Sequence, residues 1–118
     1  MKNFKQLMVW QKGMEIWKET YLVTRQLPTD EKFGVVSQMN RAAASIPANI
    51  AEGASRDSQR DFNRYLQIAL GSSYELETFL IGINMISYVT DQAVKKLSDL
   101  IDEEQKMLMG LMKKLKTE

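Results

Sequence analysis

Apolar residues recur at alternating steps of three and four along nearly the whole 118-residue chain. This spacing places them on one face of an α-helix, and no strand-like alternation interrupts it. Four segments carry the pattern, at about 7–27, 30–53, 59–87 and 91–115, with short breaks between them. Long helices with short connections pack as antiparallel neighbours. The sequence therefore predicts an all-α, antiparallel up-down four-helix bundle, formed as a single domain over residues 1–118.

The first segment has two apolar lines, for which the spacing predicts different roles. One line steps by three and four and is interpreted as the core face, since it matches the other seams: Leu7, Trp10, Met14, Trp17 and Tyr21. A stacking platform for nucleic-acid bases is the alternative for its aromatic rings. The other line has seven-residue steps and consists of Val9, Ile16 and Val23. Together with apolar residues outside the main seams, it predicts packing between subunits; those residues are Ile68, Phe79, Met85 and Met107.

A proline lies inside the second segment without disturbing its apolar spacing. Pro47 has no N–H to bond the Ala43 carbonyl, and a proline inside a helix costs about 3 kcal/mol relative to alanine. Because the seam continues beyond it, we expect the helix to bend at Pro47 and to end near Gly53. In the favoured interpretation, the bend lets this helix wrap around the third and polar neighbours satisfy the freed carbonyl. Alternatively, the bend directs Asn49 and Glu52 at a site.

Polar and small residues predict helix boundaries and a close contact. Thr29, Ser58 and Thr90 are the expected N-caps of the second, third and fourth helices. Three small residues in the middle of the third helix, at 71–73, would let a neighbouring helix approach. Glu104 is the single polar residue in the apolar seam of the fourth helix.

The composition excludes several classes of function. The chain has no cysteine and no histidine, which excludes disulfides, thiol nucleophiles and the Glu-x-x-His sites of di-iron bundles. Glu52, Glu75 and Glu77 could hold only an oxygen-liganded ion, and bonds to Arg41 or to backbone donors near Pro47 are favoured for Glu52 and Glu75. We therefore expect neither an enzyme nor a metal or other cofactor. With no apolar run of about 20 residues and no signal-like N-terminus, a cytoplasmic location is expected.

Because the net charge is only +1, any nucleic-acid contact has to come from a local basic cluster. The first cluster is Arg41, Arg56, Arg60 and Arg64, and its last three members step by four along the expected start of the third helix. They could contact phosphates. Since Asp57 and Asp61 are interleaved, a solvated helix face is the favoured interpretation and a subunit salt bridge is a third. The second cluster consists of Lys106, Lys113, Lys114 and Lys116. It is interpreted as a solvated end of the fourth helix, and a phosphate contact is the alternative.

Several stretches closely resemble a known family. They are SIPANIAEG at 45–53, followed by an arginine and FNRYL at 62–66, with VWQ at 9–11, EKFGVVSQMNRAAASIPANIAEG at 31–53 and SSYELE at 72–77. This is the four-helix-bundle family encoded in intervening sequences of 23S ribosomal RNA genes, which includes the accessory variability protein of diversity-generating retroelements. The resemblance implies a barrel-shaped homopentamer without enzyme activity. The retroelement relative binds nucleic acid and a reverse transcriptase through a basic surface, whereas this chain is nearly neutral.

Residues and resemblance together predict a non-enzymatic, oligomeric helical bundle that binds nucleic acid or a ribonucleoprotein. The expected partners are further copies of the chain, as a pentamer, then RNA or DNA, or a partner protein, and no membrane. The candidate contact residues are Arg41, Arg56, Arg60, Arg64, Lys113 and Lys114, and the structural motif is Pro47, Asn49, Glu52 and Gly53. The alternative is a structural or protein-interaction bundle with no nucleic-acid role.

Overall fold

Four long helices make up most of the chain in the computed structural model, which describes residues 3–86 and 89–117. The helices are α1 (Met8–Thr24), α2 (Ser37–Ala54), α3 (Gln59–Met85) and α4 (Asp91–Thr117). Within the described residues there is no strand, and the predicted helical bundle is confirmed. The predicted end of the third helix, at Ser87, lies outside the described residues.

Ion pairs show that α1 and α4 run in opposite directions. Lys12 Nζ lies 2.8 Å from Glu103 Oε2, and one level further along the bundle Glu19 pairs with Lys96. Residue numbers therefore rise along α1 while they fall along α4. Each helix packs against two neighbours, in the order α1, α2, α3, α4 and back to α1.

The α2–α3 pair is also antiparallel, because Ser45 Oγ lies 2.8 Å from Ser72 Oγ while Gly53 packs against Tyr65 and Phe62. The elongated bundle measures 46 × 22 × 20 Å. Asn40, near the start of α2, bonds Thr24 at the end of α1, so these two helices are antiparallel as well. One end of the bundle therefore combines the start of α1, the end of α2, the start of α3 and the end of α4.

One apolar cluster fills the space between the four helices, with members from all of them. Replacing a fully buried leucine or isoleucine by alanine costs about 2–5 kcal/mol, so this cluster dominates the folding energy. The largest fully buried apolar side chains are Ile16, Met39, Ile46, Ile50, Leu66, Leu76, Leu80, Ile83, Leu97, Ile101 and Leu108.

The burial of the two apolar lines of α1 is the reverse of the prediction. Ile16 and Val23 are 0% and 2% exposed, whereas Trp17 and Tyr21 are 40% and 57% exposed. Each aromatic residue directly follows a core residue, which places it about 100° away around the helix. The interpretation of the aromatic line as the core face is therefore wrong, as is the assignment of Val9, Ile16 and Val23 to a subunit contact.

The start of α2 also differs from the prediction. A 3-10 turn covers Thr29–Glu31 and a wide turn covers Lys32–Val36, so regular α-helix begins only at Ser37. Thr29 is therefore not an N-cap. The backbone leaves helical geometry at Gly34, with φ −99° and ψ −109°, and this break separates the turns from α2.

The other two predicted N-caps are confirmed. Ser58 Oγ accepts a hydrogen bond from the Asp61 N–H at 3.0 Å, and Thr90 Oγ1 accepts one from the Ala93 N–H at 3.3 Å. Both side chains satisfy backbone donors that the first turn of a helix leaves without partners.

The helix continues through Pro47 and ends close to Gly53, as predicted, although Gly53 is not the stop signal. α2 reaches Ala54, and Gly53 is buried inside its last turn. A Cβ at position 53 would lie 2.6 Å from Tyr65 Cβ and 3.0 Å from Phe62 Cδ1. Glycine is therefore needed at this position for the close approach of α2 to α3. Of the small residues on α3, Ser72 makes such a contact, whereas Gly71 is exposed.

Gly53→Ala is expected to lower the free energy of unfolding by about 1–3 kcal/mol, because the added methyl group forces the two helices apart. The matched control is Gly71→Ala, where a Cβ would meet no described atom within 4 Å. This control should gain up to about 1 kcal/mol from helix propensity. Chemical denaturation of both variants measures the difference. Equal stabilisation by the two substitutions would contradict the close-approach role of Gly53.

Candidate functional site

Arg56 lies in the connection between α2 and α3, not on α3, because that helix begins only at Gln59. One of its guanidinium nitrogens donates to Glu52 Oε2 at 3.1 Å and to Tyr65 Oη at 2.8 Å. The guanidinium also lies 4.9 Å from the centre of the Tyr65 ring. Arg56 thus binds within its own chain, and the expected row of three arginines on one helix face is wrong.

Arg60 and Arg64 lie one turn apart on the exposed side of α3 and differ in their partners. Arg64 lies 3.7 Å from Asp61 Oδ1 and 5.8 Å from the centre of the Tyr65 ring. Arg60 has no carboxylate partner within residues 3–86 and 89–117. Arg60 is therefore the arginine at this end of the bundle that is most available to a phosphate.

Arg41 does not join the other arginines. It lies on the exposed side of α2, eleven residues before Glu52, which is roughly 17 Å along the helix axis. Glu52 binds Arg56 instead of Arg41, and Glu75 is exposed, so the expected bonds of both carboxylates are wrong. Glu77 accepts a hydrogen bond from Gln105 at 2.9 Å.

Like the arginines, the lysines near the end of α4 differ in whether they have a carboxylate partner. Lys106 pairs with Asp102 at 3.1 Å, and Lys114 lines a groove between α1 and α4 beside Met8. Lys113 and Lys116 are exposed and have no carboxylate partner among the described residues. Both lie where α4 ends, which is the end of the bundle where α3 begins.

We call the end of the bundle at which α3 begins and α4 ends the basic end. The chain that follows Arg64 contrasts with the basic end, because residues 65–94 contain no lysine or arginine. A chain with a net charge of +1 therefore carries a local positive region at one end. The cations that the α2–α3 connection, α3 and α4 contribute here are Arg56, Arg60, Arg64, Lys113, Lys114 and Lys116, and they outnumber the neighbouring carboxylates Glu52, Asp57 and Asp61.

The SIPANIAEG segment forms an internal polar contact. Asn49 Nδ2 donates to the Ser45 carbonyl at 2.8 Å and to Ser45 Oγ at 2.9 Å, and Ser45 Oγ in turn bonds Ser72 on α3. Pro47 itself is buried. The Asn49 side chain therefore supports the turn of α2 that contains Pro47 and links it to α3, rather than pointing into an open site.

Glu104 is completely buried between the helices, at 0% exposure, and neither of its carboxyl oxygens has a hydrogen-bond partner among the described residues. Burial raises its pKa from 4.5 to about 8, and the nearby Lys12 charge opposes this rise only in part. A Cβ on Gly13 would lie 3.2 Å from Glu104 Oε2 and 3.3 Å from Pro47 Cβ. The missing side chain at position 13 thus makes the space that the carboxyl group occupies.

The folded chain should lose stability as the pH rises from about 4.5 to about 8, because Glu104 ionises near 4.5 when unfolded and near 8 when folded. The folded state binds more protons over this interval, so the free energy of unfolding falls. By pH 7 the loss amounts to roughly 3 kcal/mol at 1.36 kcal/mol per pH unit. Glu104→Gln removes this component, which denaturation at several pH values measures.

The control for this prediction is Glu103→Gln, on the neighbouring exposed carboxylate that pairs with Lys12. It should keep the wild-type dependence between about pH 5 and 8. If the Glu104→Gln and wild-type curves run parallel over that interval, the buried carboxyl group does not have the raised pKa.

The aromatic line of α1 borders an open apolar groove between α1 and α2. Two adjoining hollows share Met14 and Trp17, and together they extend from Trp10 to Tyr21, roughly 16 Å along α1. We call this the aromatic groove. Its other lining residues are Lys18, Leu22, Asn40, Ala44, Pro47, Ala48 and Ala51.

The aromatic groove was not predicted, although the sequence carries a signal for it. Val9, Gly13, Ile16, Thr20 and Val23 step by four, three, four and three. All five residues are buried. Two of them are not strongly apolar, so the neighbouring aromatic line looked more continuous than the true core line.

The described residues contain no group of three or more aspartates or glutamates that could hold a metal ion. None of the helices, over the same residues, combines the length and the apolar character needed to span a bilayer. The features of the described surface that could bind a partner include the basic end and the aromatic groove.

The family model of the 23S rRNA-intervening sequence proteins matches residues 5–110. Among solved structures, the chain is similar to a protein of unknown function from the S23 ribosomal protein family of Bacteroides thetaiotaomicron VPI-5482. The two share 27% sequence identity with a TM-score of 0.81, over 90% of this chain and 99% of the other. None of the curated proteins matches the chain.

Proposed function

The chain belongs to the 23S rRNA-intervening sequence protein family, and we propose that it is a non-enzymatic, self-associating helical bundle that binds nucleic acid or a ribonucleoprotein at its basic end. The observation that carries this proposal is the group of unpaired cations at that end. Arg60, Lys113 and Lys116 are exposed, and no carboxylate of the described residues neutralises them. Exposed cations without internal partners are the groups that release counterions when they contact phosphates.

The two arginines with internal partners have a supporting role in this proposal. Arg56, in the α2–α3 connection, and Arg64, on α3, both contact Tyr65, so the positions of both guanidinium groups are restricted. Their remaining donors can still bond a phosphate, since a guanidinium has five N–H groups. Arg41 is not part of the proposed contact, because it lies far along α2 from the basic end.

Self-association, as the homopentamer that the resemblance implies, would strengthen this contact. Three unpaired cations in one subunit make a weak interaction that salt readily screens. Five copies on one nucleic-acid strand would bind with a much higher apparent affinity than a single copy, because later contacts form within the complex. The exposed aromatic groove supports self-association, since an exposed apolar surface rimmed by polar groups is typical of an interaction site.

The absence of cysteine and histidine supports a non-enzymatic role. The buried carboxyl group of Glu104 does not open to solvent. The aromatic groove is lined mostly by apolar side chains and contains no carboxylate. A binding function is therefore proposed in preference to catalysis.

Gel-shift titrations with RNA and with DNA over a series of salt concentrations test the proposal. We expect binding at low salt that weakens steeply as salt increases. The double variant Arg60→Gln/Lys113→Gln should bind several-fold more weakly. Its log K should also depend less steeply on log salt concentration, with the magnitude of the slope smaller by about 0.9 for each lost phosphate contact. A control of equal charge change at the other end of the bundle is Arg25→Gln/Lys95→Gln, which should bind like the wild type.

Absence of any shift with wild-type protein at low salt would refute the nucleic-acid part of the proposal. Equal weakening by both double variants would mean that general charge, and not the basic end, controls binding.

A protein-interaction bundle without a nucleic-acid role is the second candidate function. The aromatic groove favours it, because Trp17 and Tyr21 are large, exposed and adjacent. Tryptophan and tyrosine are enriched among the residues that dominate protein interfaces. Stable multimers that show no shift with RNA or DNA would support this candidate over the first.

A further inference from the structure

We infer that the aromatic groove of one copy of the chain binds the outer face of α3 of a second copy, in a head-to-tail contact. The inference rests on the proposed self-association and names the two surfaces that would produce it. It follows from the shape of the groove, from a matching apolar line on α3 and from the charges that flank each surface.

The groove has the form that accepts a helix. Ala44, Ala48 and Ala51 line the α2 side at steps of four and three, and their small side chains leave a channel. Trp17 and Tyr21 stand beside this channel on α1, 40% and 57% exposed. Helices pack by inserting a ridge of side chains into a groove of this kind.

A line of exposed side chains on α3 supplies the matching ridge. Tyr74, Thr78, Ile81 and Met85 step by four, three and four, which is the same rhythm as the core seams. Tyr74, Ile81 and Met85 are 46%, 56% and 78% exposed. The Thr78 hydroxyl donates to the Tyr74 carbonyl at 2.8 Å, so it adds no unsatisfied polar group. We call these four residues the α3 ridge.

Charge favours a contact between groove and ridge over a contact between two grooves. Lys18 lines the groove, Arg41 is exposed on α2 beside it, and neither pairs with a carboxylate of the described residues. Two grooves facing each other would bring these cations together. The α3 ridge lies in the segment without lysine or arginine, and Glu75 is exposed next to it. Opposite charges around an apolar contact steer the two partners together.

Since groove and ridge are different surfaces, each copy can use both at once. Such a heterologous contact repeats from copy to copy and forms a ring if the rotation closes. The same contact cannot give a symmetric dimer, in which both copies would use the same patch. This difference makes the inference testable with variants that block one surface each.

The experiment uses two full-length variants, each altered at an exposed position. Ala48→Arg fills the groove with a bulky cation, and Ile81→Lys adds a cation to the ridge. Wild-type protein should sediment as a multimer of the 13.6 kDa chain. Each variant alone should sediment as smaller species, because it cannot propagate the contact. An equimolar mixture of the two should form a one-to-one dimer, in which the intact groove of the ridge variant binds the intact ridge of the groove variant.

Circular dichroism must first show that both variants retain the wild-type helical signal. If Ala48→Arg or Ile81→Lys fails to fold, Lys18→Glu replaces the groove variant and Met85→Lys, at a 78% exposed position, replaces the ridge variant. The control is Gln92→Arg, an exposed position at the start of α4 outside both surfaces, and it should keep the wild-type mass.

Four outcomes would overturn the inference. Variants that keep the wild-type mass, or a mixture that forms no dimer, would refute the groove–ridge contact and leave self-association standing. Loss of assembly in the groove variant alone would indicate a groove-to-groove contact. A monomeric wild-type protein would refute both this inference and the self-association in the proposed function.

Discussion

The fold depends on the continuity of α2 across Pro47 while this helix packs closely against a neighbour on each side. The proline removes one main-chain hydrogen bond from the middle of α2 and would by itself favour a break. Packing offsets this cost in two places. On the α1 side, Gly13 leaves room for the buried proline ring, and on the α3 side Gly53 leaves room for Tyr65. The Asn49–Ser45–Ser72 hydrogen bonds link the intervening turn to α3. The helix is therefore held by its neighbours as well as by its own backbone.

This packing also decides which surfaces remain available for binding. Because Gly13 faces α2 and α4, the core line of α1 runs through it and the aromatic line is displaced toward solvent. Trp17 and Tyr21 therefore border an open groove. The antiparallel order of the helices brings the start of α3 and the end of α4 together, and with them the basic end. The two proposed functions use different parts of the bundle, so the proposed self-association through the groove and the ridge would leave Arg60 and Lys113 exposed for a phosphate.

The number of helices, their order and two N-caps could be predicted from the sequence, because these depend on local periodicity and on side chains that bond nearby backbone. The phase of α1 could not be predicted. Two lines with similar spacing compete there, and only the packing partners decide between them. Gly53 has the residue type of a helix stop, but its role arises from contact with Tyr65, which the local sequence does not contain. Likewise, the partners of Arg56 depend on where α3 begins. For the candidate site, the basic residues could be identified, but not which of them have internal partners.

Native-state hydrogen exchange along α2 tests the central claim most directly. If the helix is one cooperative unit, the amides of residues 48–50, after Pro47, should exchange through the same opening as those of residues 42–46, with similar free energies. A segment after Pro47 that opens separately, at a much lower free energy than the segment before it, would contradict the account. In that case the proline would divide α2 into two independent parts, and the packing of Gly13 and Gly53 would not hold it together.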